Sequence, residues 1–153
     1  MRSRELKIPP PVVAALLAVA MWGIAFVAPL VEVPTLLRVC VAIAIALAGG
    51  VFSLAGIMSF RRARTTVNPM KPEAATSLVS SGIYRITRNP MYVGLLFVLV
   101  AWAAFLSSAW SLLGPLAFLL YISHFQIRPE ERVLSELFSA EYSAYKARVR
   151  RWL

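Results

Sequence analysis

Four apolar runs, at residues 12–31, 36–60, 92–105 and 110–127, set the plan of the chain. A helix needs about 20 apolar residues to cross the roughly 30 Å hydrocarbon layer of a bilayer, and three of the runs reach or approach that length. The run at 92–105 is short, which predicts a tilted span or one whose polar entrance is sunk in the membrane interface. Glu32-Val33-Pro34-Thr35 and Ser107-Ser108 are the turns of two helical hairpins. The longest polar segment, residues 65–91, holds Asn68-Pro69, Lys71-Pro72 and Ser80-Ser81-Gly82, which resist a continuous helix. A loop of that length in a small membrane protein is usually functional. In the second run, Ala42, Ala46 and Gly50 lie on one line, with Gly49, Ser53 and Gly56 beside it; small residues at this spacing predict close helix packing. Arg128 precedes Pro129, so a break or kink is expected there. Beyond it, Val133, Leu134, Leu137, Phe138, Tyr145, Val149 and Trp152 fall on one helical face, with Arg132, Glu136, Lys146, Arg148 and Arg150 mostly elsewhere. That pattern predicts an amphipathic helix lying on the membrane or capping the bundle.

The expected fold class is therefore all-α: a polytopic membrane protein with about four transmembrane helices and a C-terminal amphipathic helix. The composition agrees. The 153 residues are 59% hydrophobic and 15% charged, and the mean hydropathy is +0.72, leaving little chain for a separate soluble domain. The net charge of +9 raises the question of nucleic acid. The basic residues answer it by flanking the spans, at Arg2, Arg4 and Lys7, at Arg61, Arg62 and Arg64, and in the tail. Of the 16 Lys and Arg, all but Arg38 fall on one side if the amino terminus is inside. Both termini are then expected in the cytosol, in the inner or plasma membrane of a prokaryote.

This topology returns two polar clusters to the cytosolic face. One is Gly82 to Gly94, with Arg85, Arg88 and two tyrosines; the other is Arg128-Pro129-Glu130-Glu131-Arg132. Carboxylates at a helix start favour the macrodipole, and Tyr84 and Tyr92 suit interfacial anchoring, so each has a purely structural reading. Carboxylates at a membrane border are costly unless matched by a cation, which points to Arg85, Arg88 or a cationic ligand as partner. Cys40 lies in an apolar run, His124 is the only histidine and every one of the 7 acidic residues is glutamate, so no metal site is expected. His124 reads as a polar residue hydrogen-bonding a neighbouring helix.

The ordered set Ser80-Ser81-Gly82-Ile83-Tyr84, Arg88-Asn89-Pro90-Met91-Tyr92-Val93-Gly94, Glu130-Glu131, Phe138, Glu141-Tyr142 and Tyr145 resembles the isoprenylcysteine carboxyl methyltransferases and the related phospholipid methyltransferases. The resemblance spans roughly residues 65–153. It implies an integral membrane methyltransferase using S-adenosylmethionine. Residues 1–64 would supply two amino-terminal spans. Residues 65–153 would supply the cofactor-binding loop, the hairpin and the amphipathic helix, all in a single structural domain. By the same resemblance, Thr76, Ser77, Leu78, Val79, Tyr84, Asn89, Pro90, Met91 and Tyr92 line the cofactor pocket, and Glu130 meets the cofactor's cationic end. Arg88, Asn89, Tyr92 and Glu131 are the candidate catalytic residues. The family commonly has histidine where this chain has Asn89, which retains hydrogen bonding without charge. At the spacing where isoprenylcysteine enzymes carry a carboxylate-binding arginine stands Gln126, with Arg128 two residues on; both are candidate substrate contacts.

Methyl transfer from a sulfonium is an in-line displacement that positioning and exclusion of water can largely drive. The expected partners are membrane lipids and a lipophilic substrate entering from the bilayer, with no nucleic acid and no metal. The reaction expected is O-methylation of a prenylated cysteine-like carboxylate, with N-methylation of an amine lipid headgroup as the alternative. A non-enzymatic lipid-binding protein of the same fold is the reading from another class. A coupled transporter is disfavoured by the near absence of ionisable residues within the spans.

Overall fold

The computed structural model describes residues 8–65 and 72–153. The basic arm at Arg2, Arg4 and Lys7, and the loop positions Asn68-Pro69 and Lys71, lie outside the described residues. Five α-helices follow in order: α1 Pro10–Val27, α2 Thr35–Arg62, α3 Pro90–Leu106, α4 Leu113–Ile122 and α5 Arg128–Arg148. Single turns of tighter helix occupy Pro72–Ala74, Gly82–Arg85 and Ala109–Leu112. The protein is an all-helical polytopic membrane protein. Pro10–Val27, Thr35–Arg62 and the helical stretch Ala109–Arg148 are long and apolar enough to cross a bilayer. The 17 residues of α3 give about 25 Å of helix at ~1.5 Å per residue, short of the ~30 Å hydrocarbon layer. Exposed Leu16, Val19, Phe26, Leu47, Val51 and Leu54 on α1 and α2 would be untenable in water and suit a lipid face.

Local chemistry explains the helix limits. Pro10 and Pro90 occupy first-turn positions of α1 and α3, where the missing N–H costs nothing. At the far end of α3, Ser107 turns left-handed at φ 53°. Its N–H returns to the Ala103 carbonyl, and its hydroxyl donates to the Val31 carbonyl at 2.6 Å. The Val31 N–H donates to the Ser107 carbonyl at 2.7 Å, so the two hairpin turns are stitched together.

α2 packs along α3, and α1 packs against α3 and α4. The small-residue line of α2 differs from the expected Ala42-Ala46-Gly50. Its buried positions are Ala42, Gly49 and Gly56, and a Cβ on Gly50 would meet nothing within 4 Å. Seven residues fall about 20° short of two full turns, whereas eight overshoot by about 80°, so a seven-residue line stays on the facing helix. The tightest approach is between glycines: a Cβ on Gly94 would strike Ser53 Oγ, and would lie 2.6 Å from the Gly49 carbonyl oxygen.

The Arg128-Pro129 break is not where it was expected. Arg128 is helical at φ −59°, ψ −45°. The chain instead passes through a wider π-turn at Ser123–Ile127, which accommodates the proline ring without ending the helix. The true interruption is Ser139, at φ 34°, ψ −107°, inside α5. After it the second half of α5 folds onto the bundle as a cap. Tyr142 and Tyr145 join Val79 and Tyr84 in a buried cluster, with Phe60, Leu134, Phe138 and Val149 packed around them. Leu137 stays 47% exposed, and Val149 and Trp152 lie beyond the helix end at Arg148. His124, expected to bond a neighbouring helix, is exposed and meets Arg128 on its own helical stretch at 3.2 Å.

Candidate active site

Pro90 opens α3 immediately after the loop, so Arg88, Asn89 and Tyr92 are presented at the helix mouth. The π-turn leads into α5 with Gln126 and Glu130 one turn apart on a common face. Tyr92 donates its hydroxyl to Glu130 Oε1 at 2.5 Å, and the Gln126 amide donates to the same oxygen at 2.7 Å. Among the described residues no cation pairs with Glu130.

Glu131, rotated about 100° round the helix from Glu130, has the opposite environment. Arg151 grips it side-on, Nε to Oε1 at 3.0 Å and Nη2 to Oε2 at 2.6 Å. Arg88 Nη2 approaches Oε1 at 3.2 Å. The hydrogen bonds that Arg151 donates to Glu131 hold its pKa above the usual value. The candidate cation Arg85 is exposed. Arg88 is only 12% exposed, yet its Nε and Nη1 are buried without an acceptor among the described residues. Tyr142, 2% exposed, lies within electrostatic range of Glu130, Glu131, Arg88 and Arg151 alike, so the four charges converge on one region.

The segment after α5 straps this arrangement together. Thr87 and Arg150 form a parallel bridge, in which the Arg88 N–H donates to the Arg150 carbonyl at 2.9 Å. Asn89 sits at the N-cap of α3, but its side-chain amide donates to the Arg151 carbonyl at 2.8 Å instead of capping the helix. Thr87, fully buried, donates to the same carbonyl at 3.3 Å. The indole of Trp152 donates to Ser123 Oγ at 3.2 Å.

The remaining candidates lie around this centre. Tyr84 is 5% exposed; burial drives its phenol pKa well above the usual 10.0, and electrostatic coupling to Tyr145 and Glu130 adds to the shift. Its ring meets Phe60 edge-on at 5.4 Å, and its carbonyl accepts the Tyr145 hydroxyl at 2.7 Å. Leu78 and Val79 belong to the same cluster. Ser77 donates to the Ala63 carbonyl at 3.3 Å, and the Thr76 N–H donates to Thr65 Oγ1 at 3.0 Å. These four residues therefore run along the carboxy-terminal end of α2. Pro90 is buried and Met91 half-buried, both against Gly56. Gln126 is buried, but Arg128, two residues on, is exposed with His124. The structure thus joins Gln126 to Glu130 and leaves Arg128 outside. Arg151 escaped the sequence reading because it looked like one more basic residue in a basic tail. No metal-holding group of His, Cys and acidic residues occurs among the described residues.

The phospholipid methyltransferase family matches residues 37–141, and the chain belongs to that family. With the apolar helices, this defines the class as a membrane methyltransferase. An uncharacterised protein of Haemophilus influenzae is 46% identical over 63 residues, covering 41% of this chain and all of that protein. The protein-S-isoprenylcysteine O-methyltransferase of Saccharomyces cerevisiae is 36% identical over 85 residues, covering 52% of this chain and a third (33%) of the yeast protein. No solved structure matches the chain.

Proposed function

We propose that the chain is an S-adenosylmethionine-dependent methyltransferase acting on a lipophilic acceptor at the cytosolic face of the membrane. Residues 65–153 would form the catalytic region and residues 1–64 its membrane scaffold. The observation that carries the reading is Glu130. It is a carboxylate oriented by Tyr92 and Gln126 through one oxygen, with no cation among the described residues against it. A preoriented carboxylate of this kind fits the cationic amino-acid end of the cofactor. When bound, S-adenosylmethionine supplies a methyl group on a cationic sulfonium.

The chain's own residues bind, orient and exclude water. Tyr92 and Gln126 hold Glu130 in one direction. Glu131, neutralised by Arg88 and Arg151, serves as an anchor for two guanidiniums, so its candidate catalytic role becomes one of positioning. Asn89, engaged with the Arg151 carbonyl, orients the loop against the strap. Thr76 to Val79, Tyr84, Pro90 and Met91 would form the remaining wall of the pocket. The cap made by the second half of α5 keeps water from the site. An apolar groove of about 470 Å³ between α2 and α3, lined by Ala44, Ile45, Ala48, Leu96, Phe97 and Val100, begins one turn up α3 from Tyr92. It offers an acceptor's apolar tail a seat reached from the bilayer.

Of the two acceptor classes, an amine headgroup gains support from Gln126. That residue is committed to Glu130, and exposed Arg128 faces His124, so neither offers a cation to an acceptor carboxylate. The isoprenylcysteine carboxylate keeps the support of the yeast relative. Calorimetric titration of the detergent-purified chain with S-adenosylhomocysteine tests the reading. Glu130→Gln should weaken binding at least about tenfold, because it removes charge from a poorly solvated site. Unchanged affinity would place the cofactor elsewhere. No binding by folded wild-type protein would favour the non-enzymatic lipid-binding reading.

A further inference from the structure

We propose that Arg88 is the seat of an oxyanion, held by the Nε and Nη1 donors that no acceptor among the described residues meets; this rests on the methyltransferase reading above. A buried guanidinium is strongly disfavoured with donors unsatisfied, and leaving a buried donor unpaired carries its full desolvation penalty. Arg88 is 12% exposed, and both donors are buried. Glu131 does not meet this need. It approaches only Nη2, at 3.2 Å, while both its oxygens are already taken side-on by Arg151. Arg151 thereby acts as a positioning residue. It occupies the carboxylate that would otherwise draw round to chelate Arg88, and it leaves Nε and Nη1 of Arg88 without an acceptor among the described residues. The backbone of Arg88 is fixed as well, by its N–H bond to the Arg150 carbonyl at 2.9 Å.

The matching chemistry is a carboxylate or phosphate, which a guanidinium binds through paired charge-assisted hydrogen bonds. Two ligands could supply it: the carboxylate of the cofactor's amino-acid end, or an anionic group on the acceptor. The site favours the first. Glu130, the proposed seat of the ammonium, and Glu131, the neighbour of Arg88, are consecutive residues. An α-amino acid presents its two opposite charges on one carbon, and Glu130 with Arg88 presents the complementary pair.

The test compares ligands in the unaltered protein, so it does not depend on a variant folding. Titration with S-adenosylhomocysteine and with its decarboxylated analogue should show the analogue binding about 10- to 100-fold more weakly, the effect expected of hydrogen bonds to a charged group. Arg88→Gln should weaken S-adenosylhomocysteine to a similar extent and remove the difference between the two ligands. Equal binding of both ligands to wild-type protein excludes the cofactor as the source. A parallel pair, N-acetyl-S-farnesylcysteine and its methyl ester, reads the acceptor arm: a preference for the free carboxylate that Arg88→Gln abolishes moves the oxyanion to the acceptor. Indifference in both pairs, with Glu130-dependent S-adenosylhomocysteine binding intact, overturns the oxyanion seat alone. Absence of all S-adenosylhomocysteine binding overturns it together with the cofactor reading.

Discussion

At the scale of single residues, neighbours in the chain have opposite surroundings. Glu130 and Glu131 are equivalent in sequence, yet one is oriented by neutral donors and the other lies between two guanidiniums. The tyrosines divide in the same way. Tyr92 serves the site, while Tyr145 serves the cap by donating to the Tyr84 carbonyl at 2.7 Å within a buried cluster. Tyr145→Phe keeps the ring and removes that bond, leaving a buried carbonyl unpaired. The expected cost is about 1 kcal/mol, or roughly 2–4 °C in melting temperature for a chain of this size. Thermal unfolding in detergent reads the loss directly, and S-adenosylhomocysteine affinity measured well below the transition should hold.

At the scale of elements, the contact between α2 and α3 rests on the absence of side chains. The Gly49 carbonyl oxygen would lie 2.6 Å from a Cβ on Gly94, and a backbone atom cannot yield as a flexible side chain does. Gly94→Ala should therefore destabilise the protein by about 1–3 kcal/mol, the range of core overpacking. Gly50→Ala, which meets nothing within 4 Å, should be neutral or mildly stabilising through helix propensity. Equal melting temperatures for the two variants would mean that the helices do not meet along the Gly49–Gly94 line. The close approach also has a functional consequence, because it fixes the height of α3 and with it the position of Tyr92 at the helix mouth.

At the scale of the molecule, the distribution of charge predicts an orientation. We expect the hairpin turn containing Glu32 to face away from the cytosol and the capping helix to face it. In a Cys40→Ser background, a membrane-impermeant thiol reagent should label Glu32→Cys in intact cells, whereas Ala147→Cys should react only after permeabilisation. The reverse pattern would invert the topology and separate the site from a cytosolic cofactor. The cap has its own molecular logic. Ser139 breaks α5, so the second half returns over the bundle and carries the chain to the strap at Arg150 and Arg151. One continuous straight helix would carry those arginines away from the loop.

The sequence by itself determined the membrane class, the helical hairpins and the common face of the two polar clusters. Lipid requires long contiguous apolar runs whose backbone groups are satisfied within the helix, and that requirement is written locally. It also displayed the residues of the candidate site, since the Arg88-to-Gly94 and Glu130-Glu131 stretches stand out at the ends of the runs. Only the tertiary structure decided which glutamate is paired. The partners are distant in the chain: Arg151 reaches Glu131 across 20 residues, and its carbonyl is met by Asn89 across 62. Local periodicity carries no information about such pairings. It likewise could not show that Pro129 would be absorbed by a π-turn while Ser139 interrupted the helix, because the packing of the cap against Tyr84 and Val79 overrides the local preference of either residue.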